Sequence, residues 1–80
     1  MGLAKSEAEL AERVSAHLKA ELKRAGITYE ELAKRLKKHG LPDETVDSIK
    51  AKLKRGTFAA TFLLAVAAAI GLDSIPLEDI

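Results

Sequence analysis

The sequence predicts an all-α fold of four main helices with a short C-terminal lid. Apolar residues recur every three or four positions along most of the chain, and no segment alternates as a strand would. Four glycines lie 14 to 16 residues apart, at Gly26, Gly40, Gly56 and Gly71. Each follows an apolar-periodic segment directly, where helices commonly end. With 80 residues, the chain is expected to form one domain around a small core.

The first helix is expected over residues 6–25. Ser6 and Glu9 have the spacing of a capping box. In this motif, the side chain of each residue accepts the backbone N–H of the other. Apolar residues then follow one face, namely Leu10, Val14, Leu18 and Leu22.

The second and third helices are expected over residues 28–38 and 43–55. Thr28 and Glu31 form another capping-box pattern. Gly40 and Pro42 mark the connection. The third helix has one apolar side (Val46, Ile49, Leu53) and a polar opposite side. Two short helices that meet at a glycine-containing turn, the second with a polar outer face, are typical of a helix-turn-helix.

The fourth helix is expected over residues 57–71, with Thr57 as its N-cap. This segment is rich in alanine, and its alanines cannot all point inward at once. The tail over residues 72–80 is too short for a further element. Its Ile75, Leu77 and Ile80 are expected to fold back over the core as a lid.

Composition excludes several classes of site. The absence of cysteine excludes disulfides and thiolate metal sites, and His17 and His39 have no partner at ligand spacing. We therefore expect no metal and no cofactor. The N-terminus has no apolar leader, and the uncharged run over residues 56–72 is at or below the roughly 17–25 residues that span a bilayer. A cytoplasmic protein without a targeting signal is expected.

The segment over residues 27–36, ITYEELAKRL, resembles the first helix of the helix-turn-helix in lambda-repressor/Cro-like domains, where the pattern (T/S)-Q-E-E-L-A-x-x-L is typical. The segment over residues 52–58, KLKRGTF, resembles the end of the recognition helix in a little-characterised bacterial subset of that group. The resemblance covers residues 6–79. Two departures are visible: Tyr29 replaces the usual Gln, and the connection over residues 38–42 is longer than usual.

The resemblance implies a lambda-repressor-like bundle that binds double-stranded DNA and acts in transcription regulation. The third helix would enter the major groove, and the second would cross the backbone. The residues expected to face bases are Glu44, Thr45, Asp47, Ser48, Ala51 and Lys52. The residues expected to face phosphates are Thr28, Tyr29, Lys50, Lys54, Arg55 and Thr57. Tyr29 is expected outside the core, and Lys19 and Lys23 on the far side from DNA.

Each of these features also has an ordinary explanation. Lys50, Lys52, Lys54 and Arg55 could complement the C-terminal dipole of a solvated helix, and Glu44 and Asp47 the N-terminal one. The net charge of +1 is not distinctive, although residues 28–56 hold eight Lys or Arg against five Asp or Glu. No catalytic motif is present, so no enzyme is expected.

Two alternatives stay open for the function. The alanine-rich helix 57–71 could serve a helical protein-interaction or dimerisation module, because small residues permit close helix–helix docking. A monomer is nevertheless favoured over a homodimer, since each helix has its own cap and apolar stripe. Caps at nearly every helix start and a surface of Lys, Glu and Ala are typical of idealised or redesigned sequences. A redesigned DNA-binding protein, a natural bacterial protein and a structural design without a ligand all fit this pattern.

Overall fold

A computed structural model describes residues 5–80, apart from the side chain of Asp79. Four helices follow one another: α1 (Glu7–Ala25), α2 (Tyr29–Lys38), α3 (Val46–Arg55) and α4 (Ala60–Ile70). A single 3₁₀ turn, Leu77–Asp79, lies in the tail. The predicted all-α bundle of four main helices is confirmed, with no strand between residues 5 and 80. The predicted absence of a leader concerns residues 1–4 as well, and these lie outside the described residues.

The predicted starts of α3 and α4 were wrong. α3 begins at Val46 because Thr45 is its N-cap and accepts the Ser48 N–H at 3.1 Å. α4 begins at Ala60, after an N-cap residue, Ala59, that makes no side-chain capping bond. Thr57 therefore does not cap α4. It lies in the extended connection, where its carbonyl accepts the Arg55 Nε–H at 3.4 Å.

The two predicted capping boxes are half formed. Ser6 accepts the Glu9 N–H and Thr28 accepts the Glu31 N–H, each at 3.1 Å. The two glutamates accept hydrogen bonds from other donors instead. Glu9 accepts the N–H of Lys5, and Glu31 accepts the Nε–H of Arg35 at 3.1 Å. The side-chain caps alone are enough to start both helices where the sequence predicted.

The core lies between all four helices. α1 packs against α3 and α4, and α2 packs against the same two helices. The largest fully buried side chains are Leu18, Leu32, Leu36, Ile49, Leu53 and Val66. Leu10, expected on this apolar face, is half exposed at the edge of the bundle.

The tail only partly forms the predicted lid. Ile75 and Ile80 are half-buried, and Arg13 donates to the Ile80 carbonyl at 3.1 Å. Leu77, in contrast, is 78% exposed. Its side chain was expected to cover the core, but the 3₁₀ turn directs it outward.

The seam between α1 and α3 fixes the end of α3. Gly56 ends the helix with φ +72, and a Cβ placed there would lie 2.3 Å from the carbonyl oxygen of Ala11. One turn further along α1, the buried Ser15 hydroxyl donates to the carbonyl of Leu53. That carbonyl is among the last four of α3, which have no partner within their own helix. The two contacts hold the backbones of α1 and α3 close together.

Within residues 5–80, no individual helix has both the length and the apolar composition required to cross a membrane. α3 and α4 together meet both requirements, by length and composition only, but the chain bends by 115° between the two helices.

Candidate nucleic-acid interface

The outward side of α3 is an exposed and mostly charged surface. Asp47, Lys50, Ala51, Lys54 and Arg55 are all exposed and recur at intervals of three and one, which places them on one side of a helix. We call these five residues the outer face. The opposite side of the same helix supplies Ile49 and Leu53 to the core. Burial of that apolar side therefore determines which residues α3 presents to a partner.

Glu44, Ser48 and Lys52 lie on the flank of α3 instead, where they form an internal network. Lys52 pairs with Glu44, and their side chains are 30% and 10% exposed. The ammonium of Lys52 also lies 4.9 Å from the ring centroid of Phe62 in α4, a cation–π distance. The Ser48 hydroxyl donates to Glu44 at 2.7 Å. This network ties the connection before α3 to the last turns of α3 and to α4.

Thr45 and Ser48 cap α3 reciprocally. Ser48 accepts the Thr45 N–H at 2.8 Å, and Thr45 accepts the Ser48 N–H at 3.1 Å. The six residues predicted to face bases are thus separated into two groups. Asp47 and Ala51 lie on the outer face, whereas Glu44, Thr45, Ser48 and Lys52 make contacts within the domain. The outer face also includes Lys50, Lys54 and Arg55, which were predicted to face phosphates.

The carboxyl group of Glu44 is held in its charged form. Burial raises its pKa, but hydrogen bonds from Lys52 and Ser48, together with the charge of Lys52, outweigh burial and hold the pKa below its ordinary value of 4.5. A carboxyl group whose pKa is lowered by folding stabilises the folded state above its unfolded pKa. That stabilisation disappears as the pH falls through the lowered folded-state pKa.

Glu44→Gln is expected to lower the free energy of unfolding at pH 7 by about 1–2 kcal/mol, because the amide has no negative charge to pair with the Lys52 ammonium. Urea unfolding followed by circular dichroism at pH 7 and at successively lower pH measures the loss. The difference from wild type should shrink as the pH falls through the lowered pKa of Glu44, because the wild-type carboxylate then loses its charge as well. Glu12→Gln, at an exposed glutamate of α1, is the control. A deficit that stays constant over the whole pH series, down to the acid unfolding of the wild type, would show that the ion pair is not its source.

The N-terminus of α2 lies beside the outer face. The Lys50 ammonium is 5.9 Å from the ring centroid of Tyr29. The Tyr29 side chain is half-buried and packs against the core, so the expectation that it lies outside the core was wrong. Thr28 is exposed but its hydroxyl caps α2. The α2 terminus and α3 therefore form one continuous surface through Tyr29 and Lys50.

Lys19 and Lys23 of α1 adjoin this surface, contrary to the expectation that they lie on its far side. Lys19 lines a groove between α1 and α3 together with Lys54 and Arg55. Lys19 and Lys23 also line a second groove, beside Tyr29. α1 packs along α3, which the helix pattern of the sequence does not reveal. The first groove also contains the carboxylates of Glu7 and Glu12, so the basic surface has an acidic border toward the start of α1.

Sequence reasoning missed three residues that position α3 and its neighbours. Gly56 was identified only as a helix end, and Ser15 was not singled out although it lies between Ala11 and Leu18 on the buried side of α1. Arg35 donates to the Ala69 carbonyl at 2.9 Å and so links α2 to the last turn of α4. The helical spacing of Ser15 relative to Leu18 could have indicated from the sequence that Ser15 is buried. No comparable sequence pattern indicates the contact of Arg35.

The family described as a domain of unknown function, DUF6471, matches residues 10–75. The chain belongs to this family. The DUF6471 match includes the whole outer face, the Glu44 network and the seam at Gly56. No curated protein and no solved structure matches the chain. The function of this DUF6471 domain must therefore be argued from its own surface.

A metal centre has no support in the described part of this DUF6471 domain. No group of three or more His, Cys, Asp or Glu residues there could hold a metal ion. Nε2 of His17 is buried without a hydrogen-bond partner, but no acidic or histidine cluster accompanies it. The outer face and the surface around it are the strongest candidate site.

Proposed function

We propose that this domain binds double-stranded DNA sequence-specifically, with α3 in the major groove. The observation that carries the proposal is the outer face, where three cations surround Asp47 and Ala51 on the exposed side of a short helix. A helix of ten residues is about 15 Å long, and the major groove is about 12 Å wide and admits one helix. The cations would neutralise phosphates on both sides of that groove.

Within this proposal the outer face divides into residues that read bases and residues that grip the backbone. Asp47 can accept from the N4 amino group of cytosine, and the Ala51 methyl suits contact with a thymine methyl. Lys50, Lys54 and Arg55 would contact phosphates, which fixes register without reading sequence. Glu44, Thr45, Ser48 and Lys52 could read bases only by exchanging the internal partners described above.

The neighbouring elements support the same orientation. Lys19 and Lys23 add positive charge beside the outer face, and Thr28 and Tyr29 place the N-terminus of α2 next to Lys50. A helix N-terminus favours a phosphate through its free N–H groups and its dipole. With α3 in the major groove, the positive charge and the helix terminus would adjoin the DNA backbone that flanks α3.

The connection between α2 and α3 covers residues 39–45, longer than the three or four residues of an ordinary helix-turn-helix. It is nevertheless held in place. Leu41 packs against the core, and its N–H donates to the Leu36 carbonyl at 2.9 Å. The ion pair between Glu44 and Lys52 anchors the other end. A long but fixed connection gives α3 one orientation relative to α2, which sequence-specific docking needs.

Selection from a randomised duplex library is expected to enrich one short motif with the wild-type domain. Asp47→Ala should change the preferred base at one or two positions, with a loss of roughly 1–3 kcal/mol on the preferred site alone. Lys54→Gln should weaken binding to all duplexes about equally, because a phosphate contact carries no base information. Sequencing of the selected pools and titration of the best duplex measure both effects.

Asp73→Ala is the matched control for this selection, because Asp73 is an exposed aspartate that follows α4 rather than lying on α3. The motif selected by this variant should equal that of the wild type. An unchanged motif with Asp47→Ala would exclude Asp47 from base recognition. If no motif is enriched by the folded wild-type domain, the proposal of sequence-specific binding fails.

A further inference from the structure

Lys52 differs from the other cations of α3 because it has an acidic partner inside the domain. The helix holds four cations, namely Lys50, Lys52, Lys54 and Arg55. Within the part of the chain that the structure describes, Lys52 alone of these four forms a salt bridge, and its partner is Glu44. The other three cations are exposed on the outer face. The one cation of α3 that lies off this face is thus the one that an internal carboxylate binds.

Both carboxylate oxygens of Glu44 accept hydrogen bonds within the domain. Oε2 accepts from the ammonium of Lys52, and Oε1 accepts from the hydroxyl of Ser48 at 2.7 Å. The Glu44 side chain is only 10% exposed, and that of Lys52 is 30% exposed. Glu44 precedes α3, whereas Lys52 lies in the last turn of the helix. The pair therefore joins the connection before α3 to the end of α3 and keeps the Lys52 ammonium on the flank.

Glu44 and a DNA phosphate would compete for the same ammonium group. A carboxylate oxygen and a phosphate oxygen are both strong acceptors for an ammonium donor. Lys52 directly follows Ala51, which lies on the outer face, and the flexible stem of a lysine lets its ammonium turn from the flank toward that face. The ring of Phe62, 4.9 Å from the ammonium, attracts the charge but offers no such oxygen. Glu44 is therefore the contact that withholds Lys52.

We propose that Glu44 lowers the affinity of this domain for DNA of any sequence by holding Lys52 away from the phosphate backbone. This inference rests on the proposed function and concerns the strength of binding at the same surface. The affinity that all sequences share depends on the number of phosphates that cations neutralise. With Lys52 bound to Glu44, the cations of the outer face supply these contacts; a free Lys52 adds one. The added contact reads no base.

Glu44→Gln is expected to strengthen binding to a duplex of arbitrary sequence. Glutamine keeps the length of the side chain but presents no negative charge to Lys52, so the ammonium becomes available to a phosphate. One more neutralised phosphate should steepen the slope of log affinity against log salt by about 0.9. Because the wild-type and variant lines converge near 1 M salt, the gain should be about eightfold at 0.1 M salt. Fluorescence anisotropy with a labelled duplex at several salt concentrations measures both quantities.

Asp43→Asn is the matched control. Asp43 is an exposed acid directly before Glu44, so its replacement removes the same charge from the same connection but frees no cation. Its slope should equal that of the wild type. Two further variants follow Lys52 itself. Lys52→Gln alone should leave the slope unchanged, because the withheld ammonium contacts no phosphate, and Glu44→Gln combined with Lys52→Gln should also have the wild-type slope. Circular dichroism at the assay temperature checks that each variant is folded.

An unchanged slope in folded Glu44→Gln would overturn the inference. Equal steepening in Asp43→Asn would also overturn it, because net charge would then explain the gain, as would a gain that persists in the double variant. A slope that Lys52→Gln makes shallower would show that Lys52 already contacts a phosphate in the wild type. Each of these results leaves DNA binding itself intact. Absence of wild-type affinity for any duplex at about 50 mM salt would instead overturn the proposed function together with this inference.

Discussion

Gly56→Ala is expected to remove a large part of the stability of the domain. At φ +72, an alanine pays the left-handed penalty of about 1–2 kcal/mol. Its Cβ would also lie 2.3 Å from the carbonyl oxygen and 2.7 Å from the carbonyl carbon of Ala11. These are backbone atoms in the second turn of α1, so relief requires α1 and α3 to separate. Forced overpacking adds about 1–3 kcal/mol, and the buried bond from Ser15 to Leu53 is strained by the same displacement.

The summed loss of about 2–5 kcal/mol is a large fraction of the roughly 5–15 kcal/mol that stabilises a domain. Thermal unfolding followed by circular dichroism should show a midpoint lower by about 10 °C or more. Gly26→Ala is the matched control: Gly26 has φ +71, but a Cβ there meets nothing within 4 Å. Gly26→Ala should therefore cost only the left-handed penalty. Equal losses in the two variants would show that the close approach to Ala11 contributes nothing.

The difference between Gly56 and Gly26 shows which part of the fold the sequence alone does not predict. Helical periodicity and glycine spacing were sufficient to predict four helices and their order, because both signals are local. The contact between Gly56 and Ala11 joins residues 45 positions apart, and nothing in either local pattern announces it. The predicted start of α3 was wrong for a different reason, which is local. Asp43, Glu44 and Thr45 precede α3 in succession, and the reciprocal bond with Ser48 determines which of them is the cap.

The candidate site also has a part that the sequence predicts and a part that only tertiary packing determines. The outer face could be predicted, because burial of Ile49 and Leu53 leaves Asp47, Lys50 and Ala51 on the opposite side of a helix. The contacts of Lys52 with Glu44 and Phe62 could not be predicted from the sequence. A long side chain on the flank of a helix can turn toward solvent or toward a neighbouring element, and the neighbour is set by tertiary packing. The position of Lys19 beside Lys54 likewise follows from the packing of α1 on α3.

Replacing Lys50, Lys54 and Arg55 together with Gln is expected to weaken DNA binding roughly 500-fold at 0.1 M salt. Each phosphate that a cation neutralises contributes about −0.9 to the slope of log affinity against log salt. Three lost contacts should therefore make the slope shallower by about 2.7, so that the wild-type and variant lines converge near 1 M salt. Gln keeps a good helix propensity, and the three side chains are exposed, so the variant should remain folded. Fluorescence anisotropy with a labelled duplex at several salt concentrations measures both quantities.

Lys38→Gln is the control for this change in slope. Lys38 is an exposed lysine nine residues after Tyr29 in the same helix, which places it about 180° around α2 and at the opposite end from the outer face. Its loss lowers the total charge by one but removes no proposed phosphate contact, so the slope should stay that of the wild type. A slope that changes in proportion to total charge in both variants would indicate general attraction to DNA rather than docking through α3. Absence of duplex affinity at 50 mM salt in a folded wild-type sample would exclude DNA as the ligand, and the alternative of an interaction module that uses the alanine-rich helix 57–71 would then remain.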